Sequence, residues 1–281
     1  MSDFDLDAYL RRIGHAGPCT VSFETLAALQ RAHTAALPFE NLDPLLGRPV
    51  ALDAASLSAK LVDGRRGGWC YEHNLLLGHA LRAIGFQVQD LAARVRWNVP
   101  AGVVRPRTHM LLLVSVATER HLVDAGFGGL TLTAPLRLDR RSPQTTPHGT
   151  FRLPLANGGY ELQAAVTGDW RALYAFDLQP QQAADFEMAS WYLCHHPASI
   201  FRRSLMAARV LPSGRHTLLD DRLTHHRADG RAEVRRLGSR GELREVLENV
   251  FAIDLAGLSG FDAVLDRLLT VSQDTWPEKA R

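Results

Sequence analysis

Arg66-Gly67-Gly68-Trp69-Cys70-Tyr71-Glu72-His73-Asn74 places one cysteine directly behind a glycine pair and at the head of an apolar-periodic run. Leu77, Ala80, Leu81 and Ile84 follow at helical spacing and Gly85 offers a C-cap, so the stretch predicts a helix that opens at Cys70. The first-turn N–H groups of a helix have no intrahelical partners, and its dipole favours an anion there. A free thiol with a pKa near 8.5 is only about 3% thiolate at pH 7, and lowering that value to about 6 makes thiolate the main species. A buried helical cysteine is more often a small hydrophobe. An inert cysteine has no need of the glycine pair, Arg66, Glu72 and His73 around it, and this local context leaves the nucleophilic and structural readings even.

Outward from this helix, residues 1–85 read as helical. Leu6, Leu10 and Ile13 recur at helical spacing, Thr25 to Ala36 continues the pattern, and Leu57 to Val62 forms a short segment. Pro38 interrupts it within Leu37-Pro38-Phe39-Glu40-Asn41-Leu42. Residues 86–184 are β-rich. Phe86 to Leu91 and Arg94 to Trp97 alternate, His109 to Val116 and His121 to Ala125 read as strands joined across residues 117–120, and Asn157-Gly158-Gly159 marks a hairpin between Phe151–Leu153 and Tyr160–Leu162. From 185 to 281 helical character returns through Met188, Trp191, Tyr192 and Cys194, and stops at Pro197. A further helix is expected over Ser199–Val210, short strands over Arg215–Asp229, a helix starting at Ser239 or Gly241, and another over Phe261–Leu269.

The chain of 281 residues is long enough for a real core, and its 46% apolar and 22% charged fractions are those of an ordinary globular protein. A net charge of +2 gives no support for a nucleic-acid or membrane surface. Arginine thickens towards the C-terminus (Arg227, Arg231, Arg235, Arg236, Arg240, Arg244), where a solvated face is the first reading and a site for a phosphorylated cofactor the second. Cys19, Cys70 and Cys194 are too few and too scattered for a disulfide framework. The acidic Met1 to Asp7 has no signal-peptide pattern, and apolar runs such as Met110 to Val114 are of strand length, so a cytoplasmic, reduced protein, a monomer or homodimer, is expected.

A cysteine nucleophile needs a base, and the base an orienting acceptor. His109 stands at the head of an apolar strand, and Asp124 ends the next strand and enters Ala125-Gly126-Phe127-Gly128-Gly129. Pairing Val116 with His121 puts Asp124 opposite Leu113, about 13 Å along the strand from His109, so a bulge or a different turn is needed to join them. No metal is expected: Cys70 with His73, or His195 with His196, lacks third and fourth ligands at a recognisable spacing. Gly126 to Gly129 form a turn first and a loop for close ligand approach second.

Five ordered motifs resemble the arylamine N-acetyltransferase family: LPFENL at 37–42, RGGWCYE at 66–72, THMLLLV at 108–114, VDAGFGG at 123–129 and HPxSxF at 196–201. The resemblance covers most of the chain. It implies an α+β multidomain fold with a cysteine-protease-like Cys-His-Asp core: a helical domain (1–85), a β-barrel domain (86–184), and an interdomain helix with an α/β lid (185–281). It implies Cys70 as nucleophile, His109 as its proton partner and Asp124 as the orienting carboxylate. The implied reaction, of the kind used in xenobiotic metabolism, is ping-pong acetyl transfer from acetyl-CoA to arylamines, arylhydroxylamines or hydrazines. Thr108, Gly126, Phe127, Gly128 and Gly129 are the implied cofactor contacts, and Phe39, Val95, Phe127 and Phe201 the implied acceptor pocket. Likeness and opposite charge suggest that Glu40 and Arg66 pair beneath the cysteine loop. Trp69 stands where the family often has tyrosine or phenylalanine. The competing readings are an amide synthase of the same family, a papain- or transglutaminase-like hydrolase, and a binding module without catalysis.

Overall fold

The computed structural model describes residues 4–100 and 102–274, the side chains of 271–274 excepted, so Met1, Ser2 and Asp3 of the acidic N-terminus lie outside the described residues. The N-terminal helices are α1 (Leu6–Ile13), α2 (Phe23–Ala36), α3 (Leu42–Leu45), α4 (Ala54–Leu57) and α5 (Cys70–Ile84), with a π-helical turn at Ser58–Asp63 after α4. Asp5, Ser22 and Asp53 cap α1, α2 and α4 by accepting from first-turn N–H groups, which satisfies donors that have no helical partner. Gly85 closes α5 in the left-handed conformation, at φ +108°. Among the described residues no helix is long and apolar enough to cross a membrane.

A short strand, β1 (Phe39–Glu40), precedes α3, and the main sheet follows α5: β2 (Gln87–Val95), β3 (Arg107–Val116), β4 (Glu119–Val123), β5 (Leu136–Arg137), β6 (Gln144–Thr146), β7 (Gly149–Arg152), β8 (Leu155–Ala156), β9 (Gly159–Val166) and β10 (Asp169–Phe176). Its order is β5-β4-β3-β2-β10-β9-β7-β6, with β8 paired to β9, and it curves into a nearly closed barrel around Leu91, Leu111, Leu113, Leu122, Leu162 and Leu173. Gln144 joins the two free edges. Its side chain accepts from the Arg137 N–H (2.8 Å) and donates to the Arg137 carbonyl (3.0 Å), doing in β6 what a strand backbone would do for β5. The turn expected at Asn157-Gly158 is formed, at φ +50° and +77°, but its first arm is β8 and not Phe151–Leu153: Phe151 lies in β7 and pairs with Ala164 further along β9.

Helix α6 (Ala183–His195) follows, stopping before Pro197. The helix expected over Ser199–Val210 is not formed as such: α7 covers only Ile200–Arg203, and Met206–Leu211 is strand β11. The reason is tertiary, because β11 is paired on both edges, with β1 (Phe39↔Ala208) and with β12 (Gly214–Leu219). Strands β13 (Arg222–Arg227) and β14 (Ala232–Arg236) complete a second sheet, β1-β11-β12-β13-β14. Helices α8 (Arg240–Asn249), capped by Ser239, and α9 (Phe261–Asp274) pack Leu243, Leu247, Phe261 and Leu265 against Ala207 and Leu218 of that sheet. The arginine-rich stretch is an ion-paired surface. Arg227 meets Glu233, Arg231 Asp229, Arg235 Glu242, Arg236 Asp221, Arg240 Asp266 and Arg244 Asp262, which leaves the solvated-face reading.

Candidate active site

Cys70 is the first residue of α5, with Trp69 as its N-cap, and its side chain is buried. The glycines before it are required by packing. A Cβ on Gly67 would lie 2.1 Å from the Pro38 carbonyl oxygen, and one on Gly68 2.7 Å from Glu72 Oε2. The Gly68 N–H donates to Pro38 O (3.2 Å) and the Glu40 N–H to Gly68 O (2.9 Å), so the 37–42 and 66–72 motifs are two sides of one short ladder. Beneath it lies a buried ion cluster. Arg66 is 2.7 Å from Glu40 and 3.4 Å from Asp43, while Lys60 is 2.6 Å from Asp43 and 2.7 Å from Glu72. Glu72 also accepts from the Trp69 N–H at 3.1 Å, tying this cluster to the residue before the cysteine. Burial raises the Glu72 carboxyl above its usual range, with the Glu40 and Asp43 charges adding to it; Lys60 opposes them.

The β3–β4 register brings His109 and Asp124 together. Val116 pairs with Glu119, not His121, because the turn is only Ala117-Thr118. Leu112 then faces Val123, and one further step sets Asp124 level with Leu111, about 7 Å along the strand from His109 instead of about 13 Å. Ala117 takes this tight turn at φ +51°, a conformation no glycine or asparagine in the sequence announces. His109 Nε2 donates to Asp124 Oδ2 at 2.7 Å, with Asp124 wholly buried.

Asp124 is held on every side. Tyr174 Oη donates to Oδ2 (2.9 Å), while Asn74 Nδ2 (3.1 Å) and the Gly126 N–H (2.9 Å) donate to Oδ1. Burial alone would raise its carboxyl, but the His109 charge and these donors hold it below the usual carboxylate range. Burial alone would likewise lower His109; Asp124, then hydrogen bonding and charge at Cys70, push it up to about 10. Nε2 is taken by Asp124, which leaves Nδ1 for the thiol side. The Cys70 thiol also lies 3.8 Å from the Thr108 carbonyl, to which it donates. Proton-sharing between a buried cysteine and an oriented histidine is the chemistry such a site can perform.

Thr108 therefore meets Cys70 through its backbone. Gly126 lies against the nucleophile, where an added Cβ would be 2.5 Å from Cys70 Cα, and Gly129 packs on the second sheet, where a Cβ would be 2.8 Å from Thr217 Cγ2. A Cβ on Gly128, at φ +75°, would lie 3.6 Å from the Phe39 ring, and Phe39 stacks on His73 at 6.5 Å between centroids. Phe127 meets His109 edge-on at 5.1 Å, Val95 pairs across strands with Tyr174, and Phe201 meets Trp69 edge-on at 5.1 Å. Thr108, Gly126 and Phe127 thus lie directly against Cys70 or His109, and Phe39 and Phe201 against the neighbouring His73 and Trp69, whereas Val95 reaches the site only through Tyr174 and Gly129 faces the second sheet.

Asn74 and Tyr174 did not stand out in the sequence. Asn74 is one turn after Cys70 on the same helix face, and an asparagine on a buried stripe is the signal that could have marked it. It donates to Met110 O (2.8 Å) as well as Asp124, and accepts from the Ala125 N–H (2.9 Å), stitching α5 to both strands. Tyr174 arrives from β10, fifty residues away in the chain. His73 turns from Cys70 into a buried chain: Tyr9 Oη donates to His33 Nδ1 (2.9 Å), His33 Nε2 to His73 Nδ1 (2.9 Å), and His73 Nε2 to Pro38 O (3.1 Å). The carbonyl at its end only accepts, which fixes these tautomers in the neutral chain; burial lowers His73 to about 4. Among the described residues no group of three or more His, Cys, Asp or Glu could hold a metal ion.

The chain is similar to known proteins along most of its length. A family model described as N-acetyltransferase matches residues 22–259. An arylamine N-acetyltransferase of Mycolicibacterium smegmatis is 45% identical over 92% of this chain and 95% of its own. The Salmonella typhimurium arylamine N-acetyltransferase / N-hydroxyarylamine O-acetyltransferase is 40% identical over 98% of this chain and 99% of its own. The structure of Mycobacterium marinum arylamine N-acetyltransferase in complex with CoA superposes with a TM-score of 0.89 at 40% identity, covering 94% of this chain and 98% of that one. With the five motifs in order and the α+β architecture matched along almost its whole length, the chain is an acyltransferase and belongs to the arylamine N-acetyltransferase family.

Proposed function

We propose that this enzyme moves an acetyl group from acetyl-CoA to an arylamine, arylhydroxylamine or hydrazine through an acetyl-Cys70 thioester. The observation that carries the reading is a buried Asp124 bound to His109 at 2.7 Å, with His109 pushed up to about 10 by Asp124 and Cys70 at the open end of α5. A histidine so placed takes the Cys70 proton, giving a thiolate–imidazolium pair. The thiolate attacks the acetyl carbonyl, and the first-turn N–H groups of Cys70 and Tyr71 face the developing oxyanion. The intermediate collapses, CoA leaves as the thiol with the proton from His109, and acetyl-Cys70 remains. An arylamine, largely unprotonated at neutral pH, then attacks the thioester, His109 takes a proton from its nitrogen, and Cys70 leaves as thiolate with the amide released.

Phe39, Val95, Phe127 and Phe201 are the acceptor-side residues of this proposal: apolar and aromatic surfaces near His109 and Cys70 suit a planar amine. Thr108 and the Gly126–Gly129 run flank the thiol where the pantetheine arm must arrive. The test is intact-protein mass after mixing with acetyl-CoA in the absence of amine. Wild type gaining one acetyl group, Cys70→Ala gaining none, and discharge by an aniline-type acceptor are the expected results. An unloaded wild type whose thiol alkylates readily would overturn the donor assignment in favour of a carrier-bound acyl donor or hydrolysis.

A further inference from the structure

On the outer face of the barrel, away from Cys70, His121 is 1% exposed and neither of its ring nitrogens has a hydrogen-bond partner among the described residues. Alternation along β4 turns Leu122 into the barrel core and His121 outward beneath α2, where the Phe23 ring covers it at 5.1 Å between centroids. Glu119 Oε2 is 3.7 Å from His121 Nε2, beyond hydrogen-bond distance, because Glu119 is drawn to Arg137 at 2.6 Å. Burial lowers the imidazole pKa, so at neutral pH the ring carries one donor and one acceptor, both unused. Leaving buried polar atoms unpaired is unfavourable, and such atoms in a native protein call for a partner.

The His121 ring lies at the wall of an open cavity of about 260 Å³, together with Phe23, Glu119, Pro135, Arg137 and Arg140, and its two nitrogens are buried behind that wall. Arg137 is neutralised by Glu119 and by Asp139 at 2.9 Å. Arg140 makes no ion pair among the described residues; its Nε donates to Ser142 Oγ at 3.0 Å and the rest of the guanidinium fork is open to an anion. Phe23, 41% exposed at the start of α2, supplies an aromatic face with room to move. We propose that this cavity binds a planar aromatic monocarboxylate, its ring between Phe23 and Pro135, one carboxylate oxygen on Arg140 and the other, after a small swing of Phe23, accepting from the His121 ring N–H. The cavity volume limits the ligand to one or two fused rings, and the Glu119 carboxylate at the rim disfavours a dianion. The site is separate from the acyl-transfer site, and its existence does not depend on the acetyl-transfer reading.

The probe is 2-naphthoate, titrated into protein labelled with ¹⁵N-histidine, with the His121 side-chain signals assigned from a His121→Gln spectrum. Saturable shifts at His121 are expected. Arg140→Ala and Phe23→Ala should each weaken binding by about tenfold or more, with acetyl transfer to an aniline held within about twofold of wild type. Shifts confined to His109, which would place naphthoate in the acceptor pocket alone, would overturn the proposal. So would wild-type affinity in Arg140→Ala.

Discussion

Gly126→Ala tests the close approach of a second backbone to Cys70. The added methyl group would lie 2.5 Å from Cys70 Cα, 3.0 Å from Cys70 O and 3.1 Å from Asn74 Nδ2. Carbon atoms settle at about 3.5–4.0 Å, so the β4–β5 loop and the start of α5 must part by about 1 Å. Gly126 has no left-handed φ, so steric contact is the whole effect. Its N–H holds Asp124 Oδ1 at 2.9 Å, and parting the backbones therefore moves Asp124 and His109 relative to the thiol. A displacement of about 1 Å at a reacting centre costs about 10²-fold in rate. Overpacking of this kind destabilises by about 1–3 kcal/mol, a Tm loss of about 2–4 °C per kcal/mol for a chain of this size class. The assays are kcat/KM for acetyl transfer, the rate of Cys70 alkylation by iodoacetamide, and Tm. Gly241→Ala is the control: it lies in α8 with Ser239 Oγ as the nearest neighbour at 3.9 Å, and should be neutral or stabilising by up to about 1 kcal/mol. Activity within about twofold of wild type with an unchanged Tm in Gly126→Ala would refute the close-approach argument.

Arg66→Ala leaves Glu40 and Asp43 facing Lys60 alone in a buried cluster; a loss of about 3–5 kcal/mol should appear in urea denaturation, together with lower activity, and an unchanged midpoint would remove the cluster's structural role. Tyr174→Phe removes a hydroxyl donor from the buried Asp124, for an expected loss of about 1.5–3 kcal/mol and a fall in kcat larger than any change in KM, measured by steady-state kinetics. Asn74→Ala breaks three bonds between α5 and the strands, and should slow both acetyl transfer and Cys70 alkylation. The pH dependence of stability carries a sign that Asp124→Asn would reveal. The raised His109 contributes fully below its ordinary 6.5 and loses that contribution as pH rises through about 10, whereas the depressed Asp124 contributes fully above its ordinary 3.8 and loses it as pH falls through its lowered value. The stability gap between wild type and Asp124→Asn, measured by denaturant titration at several pH values, should be widest between 3.8 and 6.5 and close towards pH 10; a gap that widens with pH above 6.5 would reverse the assignment.

What the chain announced by itself were features local in sequence. The helix from Cys70 to the Gly85 cap, the Asn157-Gly158 turn and the alternating strands depend on spacings of a few residues, which periodicity and turn chemistry report directly. The ordered motifs carried the family in the same way, since each is a short run. What only the tertiary structure decided depends on partners far apart in the chain. Met206–Leu211 is a strand because β1 and β12 occupy its two edges, although its alanines, methionine and leucine suit a helix equally well. His109 meets Asp124 because Ala117-Thr118 closes the β-turn two residues tighter than the sequence suggested, and a two-residue slip moves a side chain about 7 Å without changing its face. Tyr174 reaches Asp124 only through the order of the barrel strands, and Gly67 and Gly126 are glycines because another backbone passes where their side chains would be. Local propensity acts over one turn or one hairpin, whereas the geometry of a buried site is set by which distant surfaces exclude water together.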